Sequence, residues 1–206
     1  MRIGAVILTG GRGKRMGRAK ESLPFGDRSL LAHVVHNLQS VAVPVVVVAR
    51  DREQDLPALP PGVVLACDAH VAGGPLAGLC AGLRALQQHA GFEDDDVAFV
   101  TGCDMPFVDA TLVRWLITRL GDHAVLMPRT SGVLQPLCAL YRLSALQHAD
   151  ALLAAGERTP RSLARQPGAA IVDEATFLAF DPHGRYLRNV NTPADYEAAL
   201  AELEQP

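Results

Sequence analysis

Short apolar runs alternate with longer amphipathic stretches along this chain, and the alternation predicts an α/β fold. The apolar runs are rich in residues that favour strands, valine above all, and they cover residues 2–8, 44–49, 63–66, 97–101 and 124–127. Most of them are followed by a stretch in which apolar side chains recur at helical spacing. Strands in this order are expected to run mostly parallel and to be joined by right-handed crossovers.

Capping signals set the boundaries of the predicted helices. Ser29 can cap one helix, Pro75 fits the first position of another, and Thr192 precedes the proline that starts the last one. The predicted helices cover residues 30–40, 75–90, 109–120, 144–155 and 193–202. The acidic stretch 93–96 is expected to form a surface turn.

The pattern changes after residue 133, where late strands are predicted at residues 136–141, 169–172 and 186–190. This part is expected to build the second wall of a ligand crevice. The whole pattern predicts a three-layer α/β/α sandwich with a Rossmann-like, mostly parallel sheet. Ligands bind such sheets at the carboxyl ends of the strands, and both Gly10 and Asp104 fall there.

Composition narrows the class of ligand. The 206 residues are enough for one domain with a full core, and the net charge of −3 argues against a nucleic-acid-binding surface.

The four cysteines are far apart and form no Cys-x-x-Cys pair, so reduced, packed thiols are expected rather than zinc ligands or disulfides. No apolar run is long enough to span a membrane, and no signal peptide opens the chain, so we expect a cytoplasmic protein.

The first apolar run leads directly into a glycine-rich, basic loop. The backbone at Gly10, Gly11 and Gly13 can bring N–H groups against phosphate oxygens. The loop also carries basic side chains, at Arg12, Lys14, Arg15, Arg18 and Lys20. Glycines and basic groups together predict a binding loop for a triphosphate. A solvated glycine turn with scattered surface charge is the alternative interpretation of the same residues.

Two familiar phosphate-binding motifs do not fit this loop. A P-loop needs Ser or Thr after Gly-Lys, and here Lys14 is followed by Arg15. The dinucleotide fingerprint needs Gly-x-Gly-x-x-Gly, whereas Gly11, Gly13 and Gly17 leave one residue too many before the third glycine. A triphosphate site in this loop would therefore belong to neither of these two classes.

Short motifs recur along nearly the whole chain: Leu8-Thr9-Gly10-Gly11, Arg15-Met16-Gly17 with Lys20, Gly74-Pro75-Leu76-Ala77-Gly78, Cys103-Asp104-Met105-Pro106, Gln135-Pro136 and Asn189-Val190-Asn191-Thr192-Pro193. In this order they resemble the molybdenum cofactor guanylyltransferases, a branch of the nucleotidyltransferases. The resemblance implies transfer of GMP from GTP to the phosphate of molybdopterin or Mo-molybdopterin, with release of pyrophosphate. It also implies one nucleotidyltransferase domain over residues 1–206, with a nucleotide-binding half to about residue 130 and an acceptor-binding half from about residue 131. Molybdoenzymes or cofactor chaperones are further candidate partners.

The same resemblance assigns roles to individual residues. Asp104 is expected to bind Mg²⁺, since that ion prefers oxygen ligands and often takes one carboxylate beside substrate phosphates; capping of the next helix is the alternative role. Lys20 and Arg15 are expected to neutralise charge on the phosphates during the reaction. The nucleotide-binding set comprises Leu8, Thr9, Gly10, Gly11, Lys20, Asp68 and Asp104.

Asp68 could accept hydrogen bonds from guanine or from a ribose hydroxyl, or it could be an ordinary loop aspartate. For the acceptor end, the resemblance implies Gln135, Asn189 and Asn191. The two asparagines are expected to point to one face of a strand, as metal ligands or acceptor contacts, with a plain strand end as the alternative.

One position departs from the family pattern. Family members often have asparagine at the end of the second strand, where it contacts the nucleotide, and this chain has Val48. Valine makes no side-chain hydrogen bond, so a related enzyme with another base or acceptor remains open: a molybdenum cofactor cytidylyltransferase or a sugar-phosphate nucleotidyltransferase. A nucleotide-binding regulatory module without turnover is the alternative outside the enzymes.

Overall fold

A computed structural model describes residues 1–9, 19–67 and 73–203. Its strands are β1 Ile3–Leu8, β2 Pro24–Phe25, β3 Arg28–Ser29, β4 Val45–Ala49, β5 Val63–Cys67, β6 Val97–Gly102, β7 Val125–Thr130, β8 Val133–Leu134, β9 Cys138–Arg142 and β10 Ala169–Val172. Its helices are α1 Leu30–Gln39, α2 Gly74–Ala90, α3 Ala110–Leu120, α4 Ala145–Ala154, α5 Glu174–Phe180 and α6 Pro193–Leu203. In these residues no helix is both long and apolar enough to cross a membrane.

The main sheet has the strand order β10-β7-β9-β6-β1-β4-β5, and β8 pairs with β7. Strand β1 lies parallel to both β4 and β6, and β4 lies parallel to β5. Strand β9 is antiparallel to both of its neighbours, β6 and β7. The expectation of a mostly parallel sheet is confirmed, with β9 reversed near its middle and the short β8 antiparallel to β7.

Helices cover both faces of the sheet, as the predicted α/β/α sandwich requires. In β1, Ala5 and Ile7 belong to one core cluster with helices α1, α3 and α5, while Val6 and Leu8 belong to the other with α2 and α4. Successive side chains of a strand point to opposite faces, so a strand covered on both sides is apolar throughout. This explains the unbroken apolar runs in the sequence.

Helix α2 lies unusually close to β1 because glycine faces the strand. A Cβ atom at Gly82 would lie 2.3 Å from Cγ1 of Val6, and one at Gly78 would lie 3.3 Å from Cδ2 of Leu8. Any larger residue at Gly82 would force the helix away from the sheet. The second glycine of the Gly-Pro-Leu-Ala-Gly motif therefore has a packing role.

The predicted caps Ser29 and Thr192 are confirmed, whereas helix α2 begins at Gly74, one residue before Pro75. Ser29 Oγ accepts from the N–H of Ala32 at 3.2 Å, and Thr192 Oγ1 accepts from the N–H of Asp195 at 3.1 Å. Helix α3 is capped by Asp109, whose carboxylate accepts from two backbone N–H groups at 2.8 and 3.0 Å. Asp104 therefore does not cap this helix and is available for another role.

Three sequence predictions need correction. Residues 186–190 do not form a strand: a 3-10 turn spans Arg185–Leu187, and the chain after it has no strand partner. Strand β9 begins at Cys138, two residues after Pro136, which has no N–H to donate to a ladder. Asp96, expected in a surface turn, is buried and ion-paired with Arg2.

Candidate active site

Three residues from distant parts of the chain meet at the carboxyl edge of the sheet. Lys20 Nζ donates to Asn191 Oδ1 at 2.6 Å and lies 3.4 Å from Asp104 Oδ2. The side chain of Lys20 is 16% exposed and that of Asp104 is 26% exposed. The cluster is therefore sheltered by the fold but open enough to reach a ligand.

The ends of β1 and β6 bring these residues together. Leu8 is in register with Gly102, and its carbonyl accepts from the N–H of Cys103 at 3.0 Å. The carboxylate of Asp104 folds back over the end of β6, where a Cβ atom at Gly102 would lie 2.5 Å from Asp104 Oδ1. Glycine is thus the residue that leaves space for this carboxylate.

The C-terminal segment is attached to the same loop through the backbone. The N–H of Val190 donates to the carbonyl of Asp104 at 2.8 Å. Asp195 accepts from the N–H groups of Asn191 and Thr192 at 3.0 and 2.8 Å, and the bond from Asn191 is the main reason why the pKa of Asp195 is lowered. These contacts place Asn191 beside Lys20.

Helix α1 holds the loop after Asp104 from the other side. Asn37 Nδ2 donates to the carbonyls of Pro106 and Val108 at 3.2 and 3.3 Å, and His33 Nε2 lies 3.1 Å from the same Pro106 carbonyl. Burial lowers the pKa of His33, which favours its neutral form. Sequence reasoning gave neither residue a role, because a helical His or Asn carries no motif.

A second polar cluster lies at the end of β1, around Thr9. Thr9, which is 2% exposed, donates through Oγ1 to the carbonyl of Val48 at 2.9 Å. Its backbone carbonyl accepts from Gln54 Nε2 at 3.4 Å, and the same amide nitrogen donates to Glu21. Sequence reasoning missed Glu21 and Gln54, which occur in no recognised motif.

Two of the three expected acceptor residues form hydrogen bonds with partners other than Lys20. Gln135 Nε2 donates to Thr130 Oγ1 at 3.1 Å, next to the β7–β8 hairpin. Asn189 Nδ2 donates to the carbonyl of Leu187 at 3.0 Å, and this residue lines a cleft of about 160 Å³ beside Phe107. The expectation that Asn189 and Asn191 share a strand face is wrong, because the segment is not a strand.

Several expected site residues lie outside the described residues: Gly10, Gly11, Arg15 and Asp68. The flanking residues Leu8 and Thr9 are both buried at the end of β1. Val48 is also buried, in register with Leu8 and in the same core cluster. Its side chain therefore packs in the core.

The donor atoms at the site suit a hard divalent cation. Asp104 and Asn191 direct oxygen atoms at one ammonium group, which shows that the place accepts positive charge. Within the described ranges there is no group of three His, Cys, Asp or Glu residues that could hold a metal ion. Burial raises the pKa of the Cys103 thiol, so this neighbour remains protonated.

Residues 5–171 match a protein-family model described as the MobA-like NTP transferase domain. A relative from Carboxydothermus hydrogenoformans, named probable molybdenum cofactor guanylyltransferase, is 30% identical over 94% of this chain and 93% of its own length. One from Chloroflexus aggregans with the same name is 35% identical over 98% of this chain and 96% of its own length.

Solved structures share the fold at lower identity. Molybdopterin-guanine dinucleotide biosynthesis protein A from Archaeoglobus fulgidus has a TM-score of 0.75 at 23% identity, covering 97% of this chain and 98% of its own. The 2-C-methyl-D-erythritol 4-phosphate cytidylyltransferase from Thermus thermophilus has a TM-score of 0.70 at 17% identity, with 100% of both chains covered. The similar architectures serve enzymes named for different bases and acceptors.

Proposed function

Because the chain belongs to the MobA-like NTP transferase family, we propose that this nucleotidyltransferase is a molybdenum cofactor guanylyltransferase. It transfers GMP from GTP to the phosphate of molybdopterin, with or without molybdenum, and releases pyrophosphate. The observation that carries the proposal is the convergence of Lys20, Asp104 and Asn191 at one edge of the sheet. Each of the three belongs to a motif by which the sequence resembles these enzymes.

The proposed reaction is an in-line displacement at the α-phosphorus of GTP. An oxygen of the molybdopterin phosphate forms the new P–O bond, while the bond to the bridging oxygen breaks and pyrophosphate leaves with its electron pair. The attacking oxygen is already anionic, so no side chain needs to act as a base. Catalysis then depends on position and charge.

The residues of the cluster divide this work. Lys20 exchanges its contacts with Asp104 and Asn191 for phosphate oxygens, and it balances the charge that develops as pyrophosphate leaves. Arg15 is proposed to add positive charge on the same side. Asn191, released from Lys20, is free to orient the acceptor, and Gln135 and Asn189 are proposed as further acceptor contacts.

Mg²⁺ is the proposed cofactor, and the carboxylate of Asp104 is the group that would hold it. When bound, the ion supplies charge neutralisation to the phosphates. The nucleotide is proposed to contact Leu8, Thr9, Gly10, Gly11 and Asp68 as well. GTP is a cytoplasmic metabolite, so the proposed reaction belongs in that compartment.

The proposal is tested by incubating the protein with GTP, Mg²⁺ and molybdopterin, in parallel with molybdenum-loaded molybdopterin. Pyrophosphate release and a mass matching the guanine dinucleotide are expected. Absence of product with every form of the acceptor would refute it. Omission of Mg²⁺ from the same reaction tests the cofactor.

A cytidylyltransferase for the same acceptor is the second candidate function. The reason is the buried Val48, whose side chain can form no hydrogen bond with a nucleotide. Melting temperatures measured with GTP, CTP, ATP and UTP rank the nucleotides, since a ligand that binds the folded state raises its stability. The guanylyltransferase requires the largest rise with GTP. A larger rise with CTP, accompanied by a cytosine dinucleotide product, would favour the second candidate.

A further inference from the structure

One side-chain amide connects both ends of the segment between β1 and Lys20. Gln54 lies in the loop after β4, and its Nε2 donates to Glu21 and, at 3.4 Å, to the carbonyl of Thr9. Its Oε1 accepts from the N–H of Arg50 at 2.7 Å and lies 3.1 Å from Thr9 Oγ1. The amide therefore joins three parts of the chain: the end of β1, the turn that carries Lys20, and the loop after β4.

The burial of Glu21 makes this amide important. Glu21 is only 6% exposed, and a buried carboxylate is costly unless it accepts hydrogen bonds. Gln54 provides such a bond from a neutral group. An apolar residue could fill the same space without that cost, so packing alone does not account for a carboxylate here.

Glu21 is adjacent to Lys20 in a single 3-10 turn. The N–H of Ser22 donates to the carbonyl of Ala19, and the N–H of Leu23 donates to the carbonyl of Lys20, both at 3.1 Å. Because Lys20 and Glu21 are neighbours in this short turn, a bond that holds the Glu21 carboxylate also restricts the movement of the Lys20 backbone. On the other side, Thr9 is fixed to β4 by its N–H bond to the carbonyl of Val48 at 3.1 Å.

We propose that Gln54 and Glu21 are positioning residues that hold Lys20 at a set distance from the end of β1. Neither one touches the reacting atoms; they act through the turn and through Thr9. The inference rests on the proposed function for the role of Lys20, and it adds residues outside the motifs that define the site. Nucleotide binding then depends on an amide–carboxylate pair that links Thr9 to the turn carrying Lys20.

The test compares three changes at this pair with a control. Gln54→Leu removes the amide, and Gln54→Glu places two carboxylates side by side. The double change Gln54→Glu with Glu21→Gln restores an amide–carboxylate pair in the reverse order. The control is Gln39→Leu at the end of helix α1, away from the site. It removes a hydrogen bond from the Gln39 side-chain amide to the carbonyl of Pro61.

Affinity for GTP with Mg²⁺, kcat, melting temperature and hydrogen exchange are measured for each variant. We expect Gln54→Leu and Gln54→Glu to weaken GTP binding by about tenfold, the size of one lost hydrogen bond in a site. Exchange at the Ser22 and Leu23 amides should rise in the nucleotide-free protein. The reversed pair should recover most of both properties, and the control should change neither.

A purely structural role would lower the melting temperature of the Gln54 variants and leave GTP affinity and the exchange of these two amides as in the parent; that result overturns the proposal. Failure of the reversed pair to recover them, although it folds, overturns it as well. The exchange measurement requires no substrate, so it tests the positioning of the turn even if the parent makes no guanine dinucleotide. Product formation by the parent decides the proposed function separately.

Discussion

An acid–base pair lies near each end of strands β1 and β6, and the two pairs differ in the number and length of their contacts. At the amino end, Arg2 contacts Asp96 through its backbone N–H at 2.6 Å and through its guanidinium at 2.6 and 2.9 Å. At the carboxyl end, Lys20 contacts Asp104 once, at 3.4 Å. The pair at the amino end therefore has several short hydrogen bonds, and the pair at the carboxyl end has a single long contact.

The difference indicates which end serves stability and which serves a ligand. Asp96 also accepts from the N–H of Glu93, and the Arg2 guanidinium caps the carbonyls of Ala90 and Gly91 and stacks on Phe92. Both carboxylate oxygens of Asp96 already accept hydrogen bonds, so little capacity remains for binding a ligand. The pair at Lys20 and Asp104 can exchange partners at little cost, which is the property a binding site needs.

The largest effect should come from Asp104→Asn. Loss of the charged oxygen is expected to lower kcat by about 100-fold or more, as for other groups that stabilise charge in a transition state, with the free energy of unfolding nearly unchanged. Pyrophosphate release and urea denaturation measure the two quantities. Asp150→Asn, which breaks an exposed pair with Arg84, is the matched control and should leave both unchanged. A large loss of stability in Asp104→Asn would remove the contrast between the two ends.

The reverse outcome is expected at the amino end. Asp96→Asn should lower the free energy of unfolding by about 2 kcal/mol, because it weakens several hydrogen bonds to a buried carboxylate, while kcat of the folded protein remains at the parent value. Denaturant titration and steady-state kinetics on the same samples check this. Equal loss of activity and stability would contradict a purely structural pair.

The same pair predicts a dependence of stability on pH. Burial opposes ionisation of Asp96, but hydrogen bonds from Arg2 and Glu93 outweigh it and lower the pKa to about 2. A free aspartate has a pKa of about 3.9, so this contribution is complete above about pH 4 and is lost as the pH falls towards 2. The parent should lose stability over that range more steeply than Asp96→Asn. Parallel curves for the two proteins would contradict the assignment.

A smaller effect is expected from Gly102→Ala, which sharpens the comparison by moving the carboxylate without removing it. The added methyl group would lie 2.5 Å from Asp104 Oδ1, so the carboxylate must turn away. We expect about a tenfold higher Mg²⁺ concentration for half-maximal activity, with the melting temperature lowered by only a few degrees. Unchanged Mg²⁺ dependence would show that the position of the carboxylate matters little.

The smallest effects should separate the two asparagines of the C-terminal segment. Asn191→Ala removes one side-chain partner of Lys20, leaves Asp104 in place and should lower activity by about fivefold, the size of one hydrogen bond. Asn189→Ala removes a bond to the carbonyl of Leu187 and should change activity less. Initial rates at varied acceptor concentration measure both. A larger effect at Asn189 would place the acceptor in the cleft beside Phe107.

Sequence predicted the elements whose boundaries are set by local chemistry. Helix α1 follows from Ser29 and an apolar face, and β6 follows from an unbroken apolar run ending before Asp104. Features that depend on distant contacts were missed: the burial of Asp96 depends on Arg2, and the burial of Glu21 on Gln54. The strand expected at residues 186–190 fails for the same reason, since an apolar pattern does not reveal whether the sheet has a free edge nearby.

Strand β9 has a consequence for any attempt to exchange parts of this enzyme with those of its relatives. It pairs with β6 from Val97 to Thr101 on one side and with β7 on the other. A fragment cut at residue 130 would leave the backbone groups along that side of β6 with water in place of a strand. Because β9 lies between β6 and β7, the residues before and after position 130 share one sheet. New acceptors therefore have to be reached by redesigning loops within one intact chain.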